Sequence, residues 1–120
     1  MRHSIEDYID IVGEGTVATI HKKASKMYDK HVFHLNSTFQ GGGVAEILSR
    51  LVPMMNDIGV DMGWRILHAH PAFYEVTKRF HNALQGAEDD ISDEDMELYL
   101  EVNEGFASYT HIDHDCVFVH

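Results

Sequence analysis

Short apolar runs separated by helical segments are the feature that most constrains how this 120-residue chain can fold. Three runs have the composition of β-strands: residues 32–37, 60–67 and Cys116–Val119. Apolar residues at helical spacing predict helices over 16–28, 44–58, 73–84 and 96–107, the last one starting with a capping box at 92–95. Strands that are separated by helices pair in parallel. The sequence therefore predicts an α/β domain with a three-layer, Rossmann-like parallel sheet.

The positions of glycine and proline residues agree with the predicted ends of these helices. Gly59 is placed just past the end of the second helix, and Gln85 and Gly86 end the third. Pro53 falls inside the second helix, where we expect it to kink the helix or leave a carbonyl unpaired. The polar start of the chain carries no predicted element.

Charge is distributed unevenly along the chain. There are 9 Lys and Arg against 20 Asp and Glu, which gives a formal net charge of −11. Residues 80–120 contain no Lys or Arg, so the excess of acid lies in the last third. This argues against nucleic acid and against an anionic membrane surface as partners. With no export signal, no apolar span and a single cysteine, we expect one small cytoplasmic domain over residues 1–120.

Three consecutive glycines, Gly41, Gly42 and Gly43, separate the first predicted strand from the following helix. Such a loop can bring backbone N–H groups close to a phosphate, or it can simply make a tight turn. The spacing fits neither a Walker A loop nor a dinucleotide fingerprint. Asn36 and Ser37, at the carboxyl end of the strand, are candidate ligand-binding residues because of their position. Glu46, in the first turn of the helix, could orient a ligand hydroxyl or merely favour the helix start.

Histidine, aspartate and cysteine side chains can bind zinc, and several lie close together in the sequence. Their spacing matches no named zinc site, so we assign no metal site. The residues concerned are His68, His70, His111, Asp113, His114, Asp115 and Cys116. Cys116 is expected to be a buried strand residue and Trp64 a core residue. His34 is expected to be a core or crevice-edge histidine whose hydrogen bonds are satisfied. His81 and Asn82 lie on a predicted helix, where packing or capping explains these residues as well as a role in binding does.

Several segments resemble one family. The run FHLNSTFQGGGVAEIL, residues 33–48, resembles the N-terminal domain of archaeal and bacterial trehalose-synthase glycosyltransferases. Further similar segments are 8–13, 76–86, 97–103 and 116–120, in the same order and with comparable spacing. The resemblance thus covers nearly the whole chain, although residues 68–72 differ from the usual loop.

This resemblance implies a retaining enzyme of the GT-B fold, in which the N-terminal domain mainly holds the sugar acceptor. Its partners would be a sugar acceptor and a nucleotide-glucose donor, a co-substrate rather than a cofactor, and its product trehalose. The glycine loop, Gly41 to Gly43, would face the donor phosphates. The chain would then be a partial N-terminal domain that lacks the donor-binding domain and is inactive alone, and no catalytic residue is assigned.

The sequence also leaves an alternative function open and predicts an exposed strand edge. The alternative function is a stand-alone, non-enzymatic module that binds a sugar phosphate or a metal. In either case, the strand Cys116–Val119 is expected to lie beside the strand at 32–37 and to leave an exposed edge, which favours a homo-oligomer.

Overall fold

A three-stranded parallel sheet is the centre of the computed structural model, which describes residues 4–120. The strands are β1 (His31–Asn36), β2 (Asp61–Ile66) and β3 (Cys116–Val119), in the order β2-β1-β3. His31 pairs with Asp61 at the start of β2, and Val32 pairs with Cys116 at the start of β3. The predicted α/β class with parallel pairing is confirmed, and so is the position of β3 beside β1.

Hydrogen bonds at both ends of β3 hold it to the central strand. At one end, the backbone N–H of His31 donates to Oδ2 of Asp115 over 2.8 Å. This bond lowers the pKa of Asp115 below its ordinary value. At the other end, the backbone N–H of His120 donates to the carbonyl of Leu35 over 2.9 Å. The carboxyl ends of β1 and β3 therefore lie side by side.

The helices follow the predicted order. They are α1 (Ile9–Val12), α2 (Glu14–Ala24), α3 (Gly43–Asp57), α4 (Pro71–Leu84) and α5 (Asp93–Tyr109), with short 3₁₀ segments at Ile5–Tyr8 and Ser25–Met27. The helical turns before residue 13 were not predicted, because segments of four residues are too short to show a helical period. Within the described part of the chain, every helix is too short or too polar to cross a membrane.

The chain forms two compact units. The first contains residues 4–67 and 113–120, and the second contains residues 68–112. The core of the first unit is an apolar cluster from the N-terminal helices, the end of α3 and the strands: Ile5, Val17, Ala24, Val32, Ile58, Val60 and Met62. Each of these side chains except that of Ala24 contributes about 1.5–3 kcal/mol on burial. Packing of Ile5 into this cluster stabilises the helical turns before residue 13.

Helices α4 and α5 form the second unit. Phe73 and Val76 of α4 are buried, and the Phe73 ring stacks on Tyr99 at 5.9 Å between centroids. Arg79 on α4 donates to Asp95 on α5 over 2.5 Å. The predicted capping box is confirmed, since the backbone N–H of Asp95 donates to Oγ of Ser92. The predicted end of α4 is also confirmed, with Gln85 as its C-cap.

Helix α3 continues through Pro53 to Asp57 as one element. Its end is confirmed by Gly59, which has φ +92 and contacts Tyr28 so closely that a Cβ would lie 2.7 Å from the ring. An unpredicted feature ties this end to the sheet. The side-chain amide of Asn56 donates to the carbonyl of Met62 over 2.8 Å, and its oxygen accepts from the N–H of Met62 over 3.1 Å. These bonds fix where β2 starts relative to α3.

Candidate functional site

A cavity of about 240 Å³ lies where β1 and β3 end and α3 begins. It is lined by residues 36–38, 41–45 and 120, all of them in the first unit. The fold therefore brings together five of the six residues singled out as ligand-binding candidates, namely Asn36, Ser37, Gly41, Gly42 and Gly43. Glu46 is exposed and is not part of the lining.

The glycine loop presents bare backbone to this cavity. Gly41 has φ +79 and Gly42 has φ +84 with ψ 156, a conformation that is essentially restricted to glycine. A Cβ built at any of the three glycines would meet no atom within 4 Å, so the space beside the loop is open. Gly42 is the N-cap of α3, and the first N–H groups of a helix have no partner within the helix. The loop can therefore receive a phosphate or a sugar oxygen.

Asn36 is buried and holds the wall of the cavity together. Its amide nitrogen donates to the carbonyl of Thr38 over 2.8 Å, and its oxygen accepts from Nε1 of Trp64 over 2.6 Å. Trp64 is half-buried rather than a core residue, and its ring makes a T-shaped contact with Phe39 at 5.0 Å between centroids. The indole thus supports Asn36 through its N–H group.

Thr38 closes the turn that leads into the glycines. Its hydroxyl accepts from the backbone N–H of Gln40 over 3.1 Å and donates to the carbonyl of Gln40. Sequence reasoning did not select Thr38. Its position, two residues after the strand and before three glycines, is where a threonine hydroxyl commonly bonds the backbone of a turn.

His120 was also not selected, and it lines the cavity from the end of β3. Its Nε2 lies 2.9 Å from Nδ1 of His34 on β1. His34 is only 5% exposed, and its ring stacks on Phe118 at 4.8 Å. Burial, and secondarily the neighbouring His120, lowers the pKa of His34 below its ordinary value. The expectation of a core histidine is confirmed, but the expectation that its hydrogen bonds are all satisfied is wrong, since among residues 4–120 its buried Nε2 has no partner.

Two further histidines, His70 and His114, have other partners. Nδ1 of His70 accepts from the backbone N–H of Ala72 and caps α4, while the ring of His114 stacks on Phe33 at 4.7 Å. Among residues 4–120, no three His, Cys, Asp or Glu side chains come close enough together to hold a metal ion. Cys116 is half-buried, less than the expected buried strand position, because it stands at the start of the outer strand β3.

No Lys or Arg belongs to the described lining of the cavity. The guanidinium of Arg65, on β2, lies over the ring of Phe33 at 5.1 Å. The cavity therefore offers an anion backbone N–H groups and the N-terminus of α3, and the first-turn dipole is its source of positive potential.

A family model matches most of this chain. The model of the family described as the N-terminal domain of trehalose synthase matches residues 34–120, from β1 through the cavity to the end of β3. This chain belongs to that family. The resemblance inferred from the glycine-loop run and the other segments is therefore confirmed.

Individual relatives show the same relationship. The chain is 47% identical over 100 residues to a trehalose synthase of Thermococcus litoralis, covering 82% of this chain and 24% of that protein. It is 43% identical over 121 residues to a trehalose synthase of Pyrococcus horikoshii, covering 99% and 29%. A trehalose phosphorylase of Pleurotus pulmonarius is 32% identical over 107 residues, covering 88% and 14%. The chain thus spans about a quarter of the length of the trehalose synthases that it matches.

Proposed function

We propose that this chain is the acceptor-side part of a retaining glucosyltransferase, which forms trehalose from a nucleotide-glucose donor and free glucose. The observation that carries the proposal is the cavity in which the glycine loop, the N-terminus of α3 and the end of β1 meet. The family match covers every one of its lining residues, and the relatives named above include trehalose synthases.

The chemistry of glycosyl transfer explains what the cavity would contribute. A departing diphosphate gains negative charge while the sugar becomes oxocarbenium-like, so fixed N–H donors that face the phosphate lower the barrier. Gly41 to Gly43 can supply such donors. The cavity lining has no cationic side chain, so this proposal assigns the positive charge, and most of the donor site, to a second domain. On this proposal the 120 residues alone are inactive.

A chimera tests the proposal directly. The Pyrococcus horikoshii trehalose synthase aligns with 99% of this chain, so the chain can replace the matched segment of that enzyme. We expect the chimera to form trehalose from glucose and a nucleotide-glucose, and the isolated chain to form none. Glucose 1-phosphate, offered as the donor in a parallel assay, distinguishes phosphorolytic chemistry. A folded chimera without transfer from either donor would contradict the proposal.

The chain also contains a matched control for the glycine loop. Gly13 and Gly42 are both helix N-caps, with φ 83, ψ 154 and φ 84, ψ 156, and neither has an atom within 4 Å of an added Cβ. Gly13→Val and Gly42→Val therefore introduce the same backbone strain, about 1–3 kcal/mol. Only Gly42 lines the cavity.

In the chimera, we expect both variants to lower the melting temperature by a similar amount. Gly42→Val alone should reduce kcat/KM for glucose transfer, because its side chain would enter the open space beside the loop and keep the ligand from the N–H groups. The expected loss, about 100-fold, is that of one transition-state donor. If Gly13→Val reduced transfer equally, the glycines would act only through folding. If Gly42→Val left transfer unchanged, the loop would not face the ligand.

A further inference from the structure

Two histidines join the core of the sheet to the wall of the cavity. Nδ1 of His34 and Nε2 of His120 lie 2.9 Å apart, and the rings are inclined by only 14°. One hydrogen atom lies between the two nitrogens, so one ring donates and the other accepts. His34 is the fixed partner, since it is buried on the central strand and stacked on Phe118, whereas His120 is exposed.

The surroundings of His34 decide which ring donates. Its other nitrogen, Nε2, is buried and has no hydrogen-bond partner among residues 4–120. Buried N–H groups without an acceptor are rarer in proteins than buried acceptors without a donor. The hydrogen of His34 is therefore on Nδ1, from which it is donated to His120. Nε2 of His120 is then the acceptor, and the neutral ring of His120 must carry its own hydrogen on Nδ1.

We infer that His34 is a positioning residue that sets the tautomer of His120 at the wall of the glycine-loop cavity. His120 thereby has a hydrogen-bond donor at Nδ1, as the backbone of the glycine loop has donors at its N–H groups. Together these donors favour a ligand atom that accepts hydrogen bonds, such as a phosphate or hydroxyl oxygen. That consequence for glucose transfer rests on the proposed function, but the tautomer of His120 does not.

Nuclear magnetic resonance measures the tautomer in the 120-residue chain. Long-range ¹H–¹⁵N spectra of the imidazole rings at pH 8 show which ring nitrogen carries hydrogen, and a His120→Gln variant identifies the His120 signals. In the unmodified chain, we expect the hydrogen of His120 to lie on Nδ1. In His34→Phe, which keeps an aromatic ring but has no donor, we expect a shift toward the Nε2–H form.

His34→Asn provides the rescue, because its amide nitrogen stands as far from the backbone as the Nδ1 that it replaces. We expect it to restore the Nδ1–H form of His120, which a purely structural role for His34 would not do. A hydrogen on Nε2 of His120 in the unmodified chain would overturn the inference, and so would a tautomer that is the same in all three proteins. If His34→Phe does not fold, the position of the hydrogen in the unmodified chain still decides whether His34 donates to His120.

The same variants in the chimera separate this inference from the proposed function. Where the tautomer behaves as expected and the unmodified chimera transfers glucose, kcat/KM should fall in His34→Phe and recover in His34→Asn. A chimera without transfer, combined with the expected tautomers, would contradict the proposed function and leave the inference standing. An active chimera with the opposite tautomer would overturn the inference alone.

Discussion

At the scale of single residues, Asn36 shows how one buried amide joins three parts of the site. It lies at the end of β1, holds the loop through Thr38, and accepts from Trp64 on β2. The expectation drawn from its position at the carboxyl end of a strand was that it contacts a ligand. In the structure, its side-chain amide bonds the loop and the indole of Trp64, and these bonds hold the cavity wall in place.

Asn36→Leu should therefore destabilise the fold. The substitution leaves the indole N–H of Trp64 and the carbonyl of Thr38 without their partner, at a cost of about 1–3 kcal/mol in the free energy of unfolding. Trp64 is the only tryptophan of the sequence, so urea unfolding can be followed by its fluorescence. Ser37→Ala, at the exposed neighbouring position, is the control and should change stability little. Equal stability of the two variants would show that the amide does not hold the wall.

At the scale of elements, the outer edge of β3 is the feature with the clearest consequence. β3 pairs with β1 on one side, and among residues 4–120 no strand pairs with its other side. The N–H of His120 points to β1, so by alternation the N–H of Val117 points outward. Val117, Phe118 and Val119 are exposed apolar residues. An unpaired apolar edge of this kind favours association between copies.

We expect the molar mass from light scattering to rise with the concentration of the isolated chain. Val117→Pro removes an outward N–H without removing a bond to β1, so it should weaken this association, whereas Val117→Thr keeps the N–H and should not. A chain that remains strictly monomeric at high concentration would contradict the prediction.

The link between α4 and α5 gives a prediction on pH. Burial raises the pKa of Asp95, but hydrogen bonds from Ser92 and Arg79 outweigh it, so the pKa lies below the ordinary value. A carboxyl whose pKa is lowered by folding stabilises the protein above its unfolded pKa, near 4, and loses that contribution as the pH falls through the lower folded value. Arg79→Gln should therefore lower the melting temperature at pH 7, and the difference from the unmodified chain should disappear in acid. A difference that persists unchanged in acid would assign the effect to packing of the arginine.

At the scale of the whole molecule, the acidic excess of residues 80–120 has an energetic cost. The net charge is −11, and α5 alone carries Glu97, Glu101 and Glu104, spaced three and four residues apart on a helix. Like charges at these spacings destabilise a helix by about 0.2–0.5 kcal/mol per pair. The charge also repels across the molecule when little salt is present to screen it.

The melting temperature should rise as salt increases from about 10 mM to 150 mM, since the screening length falls from roughly 30 to 8 Å. Glu101→Lys replaces two repulsive pairs by attractive ones, so it should raise the melting temperature at low salt and reduce the response to salt. Calorimetry over a salt series measures both effects. A melting temperature that does not respond to salt would show that the acidic charges are already compensated.

The sequence by itself determined the features that depend on neighbours along the chain. Helical and strand periods placed β3 at its observed bounds and the other predicted strands and helices within a few residues, and Gly59, Gln85 and the capping box at Ser92 marked their ends. The glycine loop was recognisable because three consecutive glycines between a strand and a helix have a local meaning. Family membership was recognisable from short runs for the same reason.

Only the tertiary structure decided which distant residues meet. His34 and His120 are 86 positions apart, and Asn36 and Trp64 are 28 apart. Their contacts depend on the strand order β2-β1-β3 and on its register, which no local period specifies. The turns before residue 13 are also a tertiary result, because Ile5 is held by the core. Local preference selects elements, whereas burial and pairing between elements select which polar groups share a cavity.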